Sequence, residues 1–201
     1  MSLLVIFRHG QSLWNLENKF TGWVDVDLSE QGINEAQQAG MKLKNLRFDY
    51  AYSSSLIRAQ KTLSIALEAI HHPAIPTVYN LALNERKYGD LQGLNKTETA
   101  KKFGDEQVKI WRRSFDVAPP NGESLKDTAA RVIPYFDMEI GPKLRAGKNV
   151  VIVAHGNSLR ALIMHLEKMT PKQILEFEMG TGVPRVYDLD NNLNVLSVKN
   201  L

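Results

Sequence analysis

The chain has 201 residues, 43% of them hydrophobic, which is enough for one large domain with a sizeable core. No apolar run approaches the ~20 residues that span a bilayer, no signal peptide is legible, and the absence of cysteine excludes disulfides and thiolate metal sites. A net charge of +3 is too small to argue for nucleic acid, and the pattern fits a cytoplasmic protein.

In chain order, LLVIF (3–7) reads as a buried strand, followed by a polar stretch to Asp27. Ser29 is placed to cap a helix to about Leu46, with Ile33, Ala36, Gly40, Leu43 and Leu46 near one face. DYAYSS (49–54) is a short strand. SLIRAQKTLSIALEAI (55–70) is a helix striped by Leu56, Leu63, Leu67 and Ile70, ended by HHPAIP, and TVYNL (77–81) is a third strand. Residues 96–115 form a charged helical excursion in two pieces, broken at Gly104. After the loop APPNGE (118–123), Ser124 with Asp127 resembles a capping box for a helix of roughly twenty residues, which Pro134 is expected to bend and Gly141–Pro142 to interrupt. NVVIVAH (149–155) is another buried strand, NSLRALIMHLEKM a helix, and Thr170 caps a short helix with Pro171 at its first position. RVYDL and LNVLSV, joined through Asn191–Asn192, read as a hairpin.

Strands alternating with helices predict a three-layer α/β/α fold, its sheet mostly parallel with an antiparallel strand near the end. A single domain over residues 1–201 is expected, with residues 85–120 as a lid-like excursion. In such sheets ligands sit beyond the carboxyl ends of the strands.

Two of those ends are alike. VIFRHGQSL (5–13) and VIVAHGNSL (151–159) both run from strand into His-Gly, a polar residue, then Ser-Leu. If the strands are neighbours, His9 and His155 face each other at one rim, each followed by a glycine that lets a ligand approach, and the helix opened by GNSLRALI points free N–H groups at the same spot. An isolated histidine there would be a hydrogen-bonded rim residue; the pair, one member preceded by Arg8, reads as functional. Neither histidine has an adjacent carboxylate and no HExxH occurs, so metal binding is disfavoured. GNSLR lacks the second glycine of a serine nucleophile elbow, and neither Walker A nor GxGxxG is present. Histidine as nucleophile beside a phosphate-binding arginine remains.

RHGQSLWN, FTGW, NERKYGDLQG, WRRSF and AHGNSLRAL, in that order, together resemble the cofactor-dependent phosphoglycerate mutases of the histidine phosphatase superfamily, from about residue 3 to about 199. The resemblance implies the phosphoglycerate mutase-like fold, a phosphohistidine on His9, and Arg8, Arg58 and His155 completing the phosphate pocket. It makes Glu85 the general acid and base. It assigns Tyr88, Lys96, Arg112 and Arg113 to the substrate's carboxylate and second phosphate, Arg86 to substrate binding, and Ser12, Asn15, Thr21, Gly22, Gly156 and Asn157 to the pocket lining. The implied reaction is interconversion of 3-phosphoglycerate and 2-phosphoglycerate in glycolysis and gluconeogenesis. It passes through 2,3-bisphosphoglycerate, which also primes the histidine, with no metal, nucleic acid or membrane partner.

Chemistry agrees with these roles. A histidine attacks phosphorus only when Nε2 is unprotonated, and two nearby guanidinium groups disfavour imidazolium, each by at most ~4 kcal/mol at ~4 Å. The same cations stabilise charge during transfer. Read alone, Glu85–Arg86 would be a surface ion pair, and Lys101, Lys102 and Lys109 solvated helix charges. Trp111 and Phe115 suggest that the segment with Arg112 and Arg113 packs down as a lid.

The chain departs from longer family members in lacking a loop after the double arginine and a C-terminal tail, which implies a more open site and some phosphatase activity. Lys87 and Gln11 stand where many relatives have histidine and glutamate. Monomer and homodimer both stay open. The competing readings are a phosphatase using the same His9, an inactive phosphate-binding scaffold and a nucleic-acid binder.

Overall fold

In the computed structural model, which describes residues 1–201, the apolar run at the start is strand β1 (Ser2–Arg8). There follow α1 (Leu13–Leu16), α2 (Glu30–Lys42), β2 (Tyr50–Ser53), α3 (Ile57–Ala69) and β3 (Thr77–Tyr79). The excursion comprises α4 (Lys96–Phe103) and α5 (Asp105–Arg113), separated at Gly104, whose φ of 88° suits glycine. Then come α6 (Leu125–Tyr135), α7 (Gly141–Arg145), β4 (Val150–Ala154), α8 (Gly156–Leu166), α9 (Pro171–Glu176), β5 (Arg185–Leu189) and β6 (Val195–Asn200).

The six strands form one sheet in the order β3-β2-β4-β1-β5-β6. β1, β2, β3 and β4 pair in parallel; β5 runs antiparallel to β1 and to β6. β1 and β4 are central neighbours, in register from Leu4↔Val150 to Arg8↔Ala154. The period-two alternation of side chains sends Leu4 and Ile6 to one face, with Val150, Ile152 and α6–α8. It sends Val5 and Phe7 to the other, with Val151, Val153, α2 and α3. Both faces are covered, so the central strands read as unbroken apolar runs.

Four expectations need correction. The polar stretch before Asp27 contains α1, capped by Ser12 and Asn15; its Leu13 and Leu16 are exposed, so it carries no apolar stripe. α2 ends at Lys42, with Leu43 as its cap. β3 stops at Tyr79, because the Asn80 side chain accepts from the Ala82 amide and starts a 3-10 turn at Leu81–Leu83. Finally, α6 runs through Pro134 into a π-helical turn at Phe136–Ile140 and directly into α7. Gly141–Pro142 does not interrupt the run: Pro142 falls in the first turn of α7, immediately after the π-helical turn.

Candidate active site

His9 follows the last residue of β1, and its amide still donates to the Ala154 carbonyl at 3.0 Å, so the β1–β4 ladder fixes its backbone. The His155 side chain leaves the end of β4 and lies beside it, ring centroids 4.9 Å apart. Both imidazoles are buried, at 3% and 0% exposure. His9 Nδ1 lies 2.7 Å from the carbonyl oxygen of Gly10. A carbonyl only accepts, so Nδ1 carries the proton and Nε2 keeps its lone pair. Burial first, then Arg58 and Arg8, holds the His9 pKa well below its ordinary 6.5. The ring is therefore neutral, and burial outranks the arginines that sequence reasoning invoked.

The Gly10 position is demanded by packing: a Cβ there would stand 2.1 Å from the Gly32 carbonyl oxygen in the first turn of α2. Gly156 instead faces the cleft, where a Cβ would lie 3.7 Å from Glu85 Oε2 and 3.9 Å from Arg8 Nε.

Arg58, in the first turn of α3, is 1% exposed. Its Nη1 and Nη2 donate to the carbonyls of Val24 (3.0 Å) and Gly22 (2.8 Å). Burial pulls its pKa down to about 10, which still leaves it charged at neutral pH. Glu85 Oε1 accepts from the amides of Arg86 (2.7 Å) and Asn157 (3.1 Å). The second of these is an α8 N-terminal amide, so a carboxylate already occupies one N–H that was expected to be free.

The cleft between these groups and the α4–α5 excursion has a volume of about 420 Å³. Seven cations line it: Arg8, Lys19, Arg58, Lys96, Arg112, Arg113 and Arg160, against the carboxylates Glu35, Glu85 and Glu178. Asn15, Thr21, Gly22, Tyr88, Gly156 and Asn157 share the wall. Eight buried side-chain nitrogen or oxygen atoms in the whole chain lack a protein partner. Seven of them belong to Arg8, Thr21, Arg58, Arg86, His155 and Arg160, in or behind this cleft. Buried donors are normally satisfied, so such a cluster marks a place built for an anion.

A family model described as "Histidine phosphatase superfamily (branch 1)" matches residues 4–201. The chain belongs to the histidine phosphatase superfamily. It is similar to a protein of Bradyrhizobium sp. strain BTAi1 named 2,3-bisphosphoglycerate-dependent phosphoglycerate mutase, 58% identical over 97% of this chain and 95% of that one. A protein of the same name from Xanthobacter autotrophicus is 54% identical, over 99% and 97% of the two chains. Among solved structures, a mycobacterial glucosyl-3-phosphoglycerate phosphatase in complex with VO3 aligns with a TM-score of 0.84 at 26% identity, over 98% of this chain and 96% of that one.

Three residues expected in the site of this histidine phosphatase do not line the cleft. Ser12 is the N-cap of α1, its hydroxyl accepting from the Asn15 amide at 3.2 Å. Arg86 is fully buried and turned toward the excursion, donating to the Arg112 carbonyl at 2.9 Å and the Tyr88 hydroxyl at 3.3 Å. His155 stands behind His9, its Nε2 2.7 Å from Ser54 Oγ and its Nδ1 unpaired. Burial, Arg58 and His9 hold its pKa well below 6.5.

Sequence reasoning missed Lys19, Arg160 and the 177–181 loop, which all reach the wall. Arg160 belongs to AHGNSLRAL, three residues after Asn157 and hence on the same helical face. Its Nη1 donates to Asn157 Oδ1 (3.1 Å) and its Nη2 to the Ile174 carbonyl (2.6 Å). Burial, then Arg113 and Arg86, pulls its pKa to about 10. Lys19, in a polar stretch with no period, left no signal. Glu178 reaches across from that loop to pair with Arg113.

Proposed function

We propose that this protein is a 2,3-bisphosphoglycerate-dependent phosphoglycerate mutase, an isomerase interconverting 3-phosphoglycerate and 2-phosphoglycerate. The observation that carries the reading is a buried imidazole with Nε2 unprotonated, set among unpaired guanidinium donors and beside one carboxylate. Full-length relatives bearing that name support it.

His9 Nε2 attacks the phosphorus of bisphosphoglycerate. The N–P bond forms, the P–O bond breaks, and the leaving oxygen takes a proton from Glu85. In the return step the hydroxyl of a monophosphoglycerate attacks the phosphohistidine and gives its proton to Glu85. Arg8 and Arg58 hold the equatorial oxygens as charge develops on them. Lys96, Arg112 and Arg113 hold the carboxylate and the second phosphate. Each charge-assisted contact contributes ~1.5–3 kcal/mol net, enough together to hold a small polyanion. The charge comes from guanidinium and ammonium groups, so the reading requires no metal. As a reading of glycolysis and gluconeogenesis it carries a cytoplasmic location.

The phosphatase reading draws on the solved relative named as a phosphatase and on a cleft with only a short excursion over it. One assay separates the two: 3-phosphoglycerate with a trace of bisphosphoglycerate, with and without chelator. The mutase gives 2-phosphoglycerate, dependent on bisphosphoglycerate and indifferent to chelator. Inorganic phosphate without 2-phosphoglycerate rejects it.

A further inference from the structure

Glu85 sits on irregular backbone between the 3-10 turns at Leu81–Leu83 and Gly89–Leu91, with no helix or strand to hold it. Arg131 on α6 grips that backbone. Its Nη1 donates to the carbonyls of Ala82 (2.8 Å) and Asn84 (2.9 Å), and its Nη2 to the carbonyl of Glu85 itself (2.8 Å). The same guanidinium pairs with both oxygens of Glu123, at 3.1 and 2.9 Å. Glu123 closes the other side: its Oε2 accepts from the Lys87 amide at 3.0 Å, and its own amide donates to the Lys87 carbonyl at 2.8 Å. The indole N–H of Trp23 adds another donor to the Glu85 carbonyl. The ion pair thus holds the chain on both sides of Glu85 while touching neither its carboxylate nor the cleft wall.

A planar guanidinium offers five N–H donors in a fixed fork, and here they reach three carbonyls and a carboxylate together; an ammonium has three and no plane. We propose that Arg131, backed by Glu123, is a positioning residue for proton transfer, holding the Glu85 backbone so that its carboxyl meets the substrate oxygen. The inference rests on Glu85 being the acid and base of the proposed function. When His9 takes a phosphoryl group from an alkyl ester, the departing alkoxide needs the Glu85 proton. When the donor is an activated aryl ester such as 4-nitrophenyl phosphate, the phenolate leaves without one.

The test compares phosphoryl transfer from bisphosphoglycerate and from 4-nitrophenyl phosphate in the wild type, Arg131→Met and Arg131→Lys, alone and combined with Glu85→Gln. Misplacing an acid–base group costs on the order of 10²-fold. The kcat with the alkyl ester is expected to fall about 30-fold or more in both variants, with KM within about threefold and the aryl rate within about threefold. In the Glu85→Gln background the Arg131 substitution should change the alkyl rate by no more than about threefold. A parallel fall with both esters, a full further loss in the Glu85→Gln background, or no loss at all overturns the inference. If Arg131→Met does not fold, Arg131→Lys reads the same ratio. A wild type that hydrolyses phosphoglycerate without isomerising it would reject the mutase reading and leave this comparison intact, because hydrolysis also expels an alkoxide.

Discussion

The histidine end of the cleft stands on two core clusters of twenty and fourteen buried residues, whereas the α4–α5 end stands on a cluster of three, Phe20, Leu91 and Val108, with Tyr88, Ala100 and Trp111 packed against it. At the first end the reactive groups leave paired strands in the middle of the sheet. At the second, Lys96, Arg112 and Arg113 ride on two short helices joined at Gly104. Under the proposed function the difference separates two tasks. Phosphoryl transfer needs a nucleophile fixed to fractions of an ångström. In the proposed reaction the rest of the anion is held by Lys96, Arg112 and Arg113, at the end with the smaller core.

Substitutions should divide along the same line. The largest effect is expected at the rigid end: His9→Ala should abolish phosphoenzyme labelling from bisphosphoglycerate and lower turnover by about 10⁴-fold or more. Labelling that survives in this variant would remove His9 as nucleophile. At the other end, Arg112→Met should raise KM for phosphoglycerate about 10–100-fold with kcat nearly unchanged. If kcat falls instead, the division between the two ends fails.

The two ends should also answer pH in opposite directions. Both buried imidazoles are neutral in the fold, while in the unfolded chain they take protons below 6.5. Stability is therefore full above pH 6.5 and falls as the pH drops below it, by about 1.4 kcal/mol per unit for each ring. Denaturation midpoints between about pH 5 and 6.5 measure that slope, and removing one ring should roughly halve it. Lys96 is depressed to about 8 by burial, then by Arg112 and Arg8. Its charge is lost as the pH rises through that value, so KM should climb toward about tenfold by pH 9, and Lys96→Arg should flatten the climb.

The smallest effect is expected at the α4–α5 end. Glu178, exposed on the 177–181 loop, pairs with Arg113. Glu178→Gln should release Arg113 and lower KM about twofold at low salt, with no difference at high salt.

Much of this frame was legible in the residues. Apolar runs ending in His-Gly marked β1 and β4, and the alternation of strand with helix implied the layers that bring them together. The capping residues Ser29, Ser124 and Thr170 announced three helix starts. What stayed hidden acts through the backbone. Arg131 and Trp23 meet carbonyl oxygens, which every residue carries, so no spacing in the sequence betrays the pairing. Ser12 and Arg86 illustrate the converse: polar residues inside a recognisable motif whose hydrogen bonds also serve the scaffold, Ser12 as a cap and Arg86 through one nitrogen to the Arg112 carbonyl. The dominance of burial in the His9 pKa was equally unreadable, because a sequence gives neighbours along the chain and not the depth of a side chain.

The pairing of β1 with β4 has one more consequence. The two imidazoles are 4.9 Å apart, close to the ~4.7–4.9 Å pitch at which backbone hydrogen bonds space adjacent strands. The parallel register that ends at Arg8↔Ala154 therefore brings the two residues that follow, His9 and His155, to the same rim of the sheet. The outer helices and the 177–181 loop lie outside that ladder.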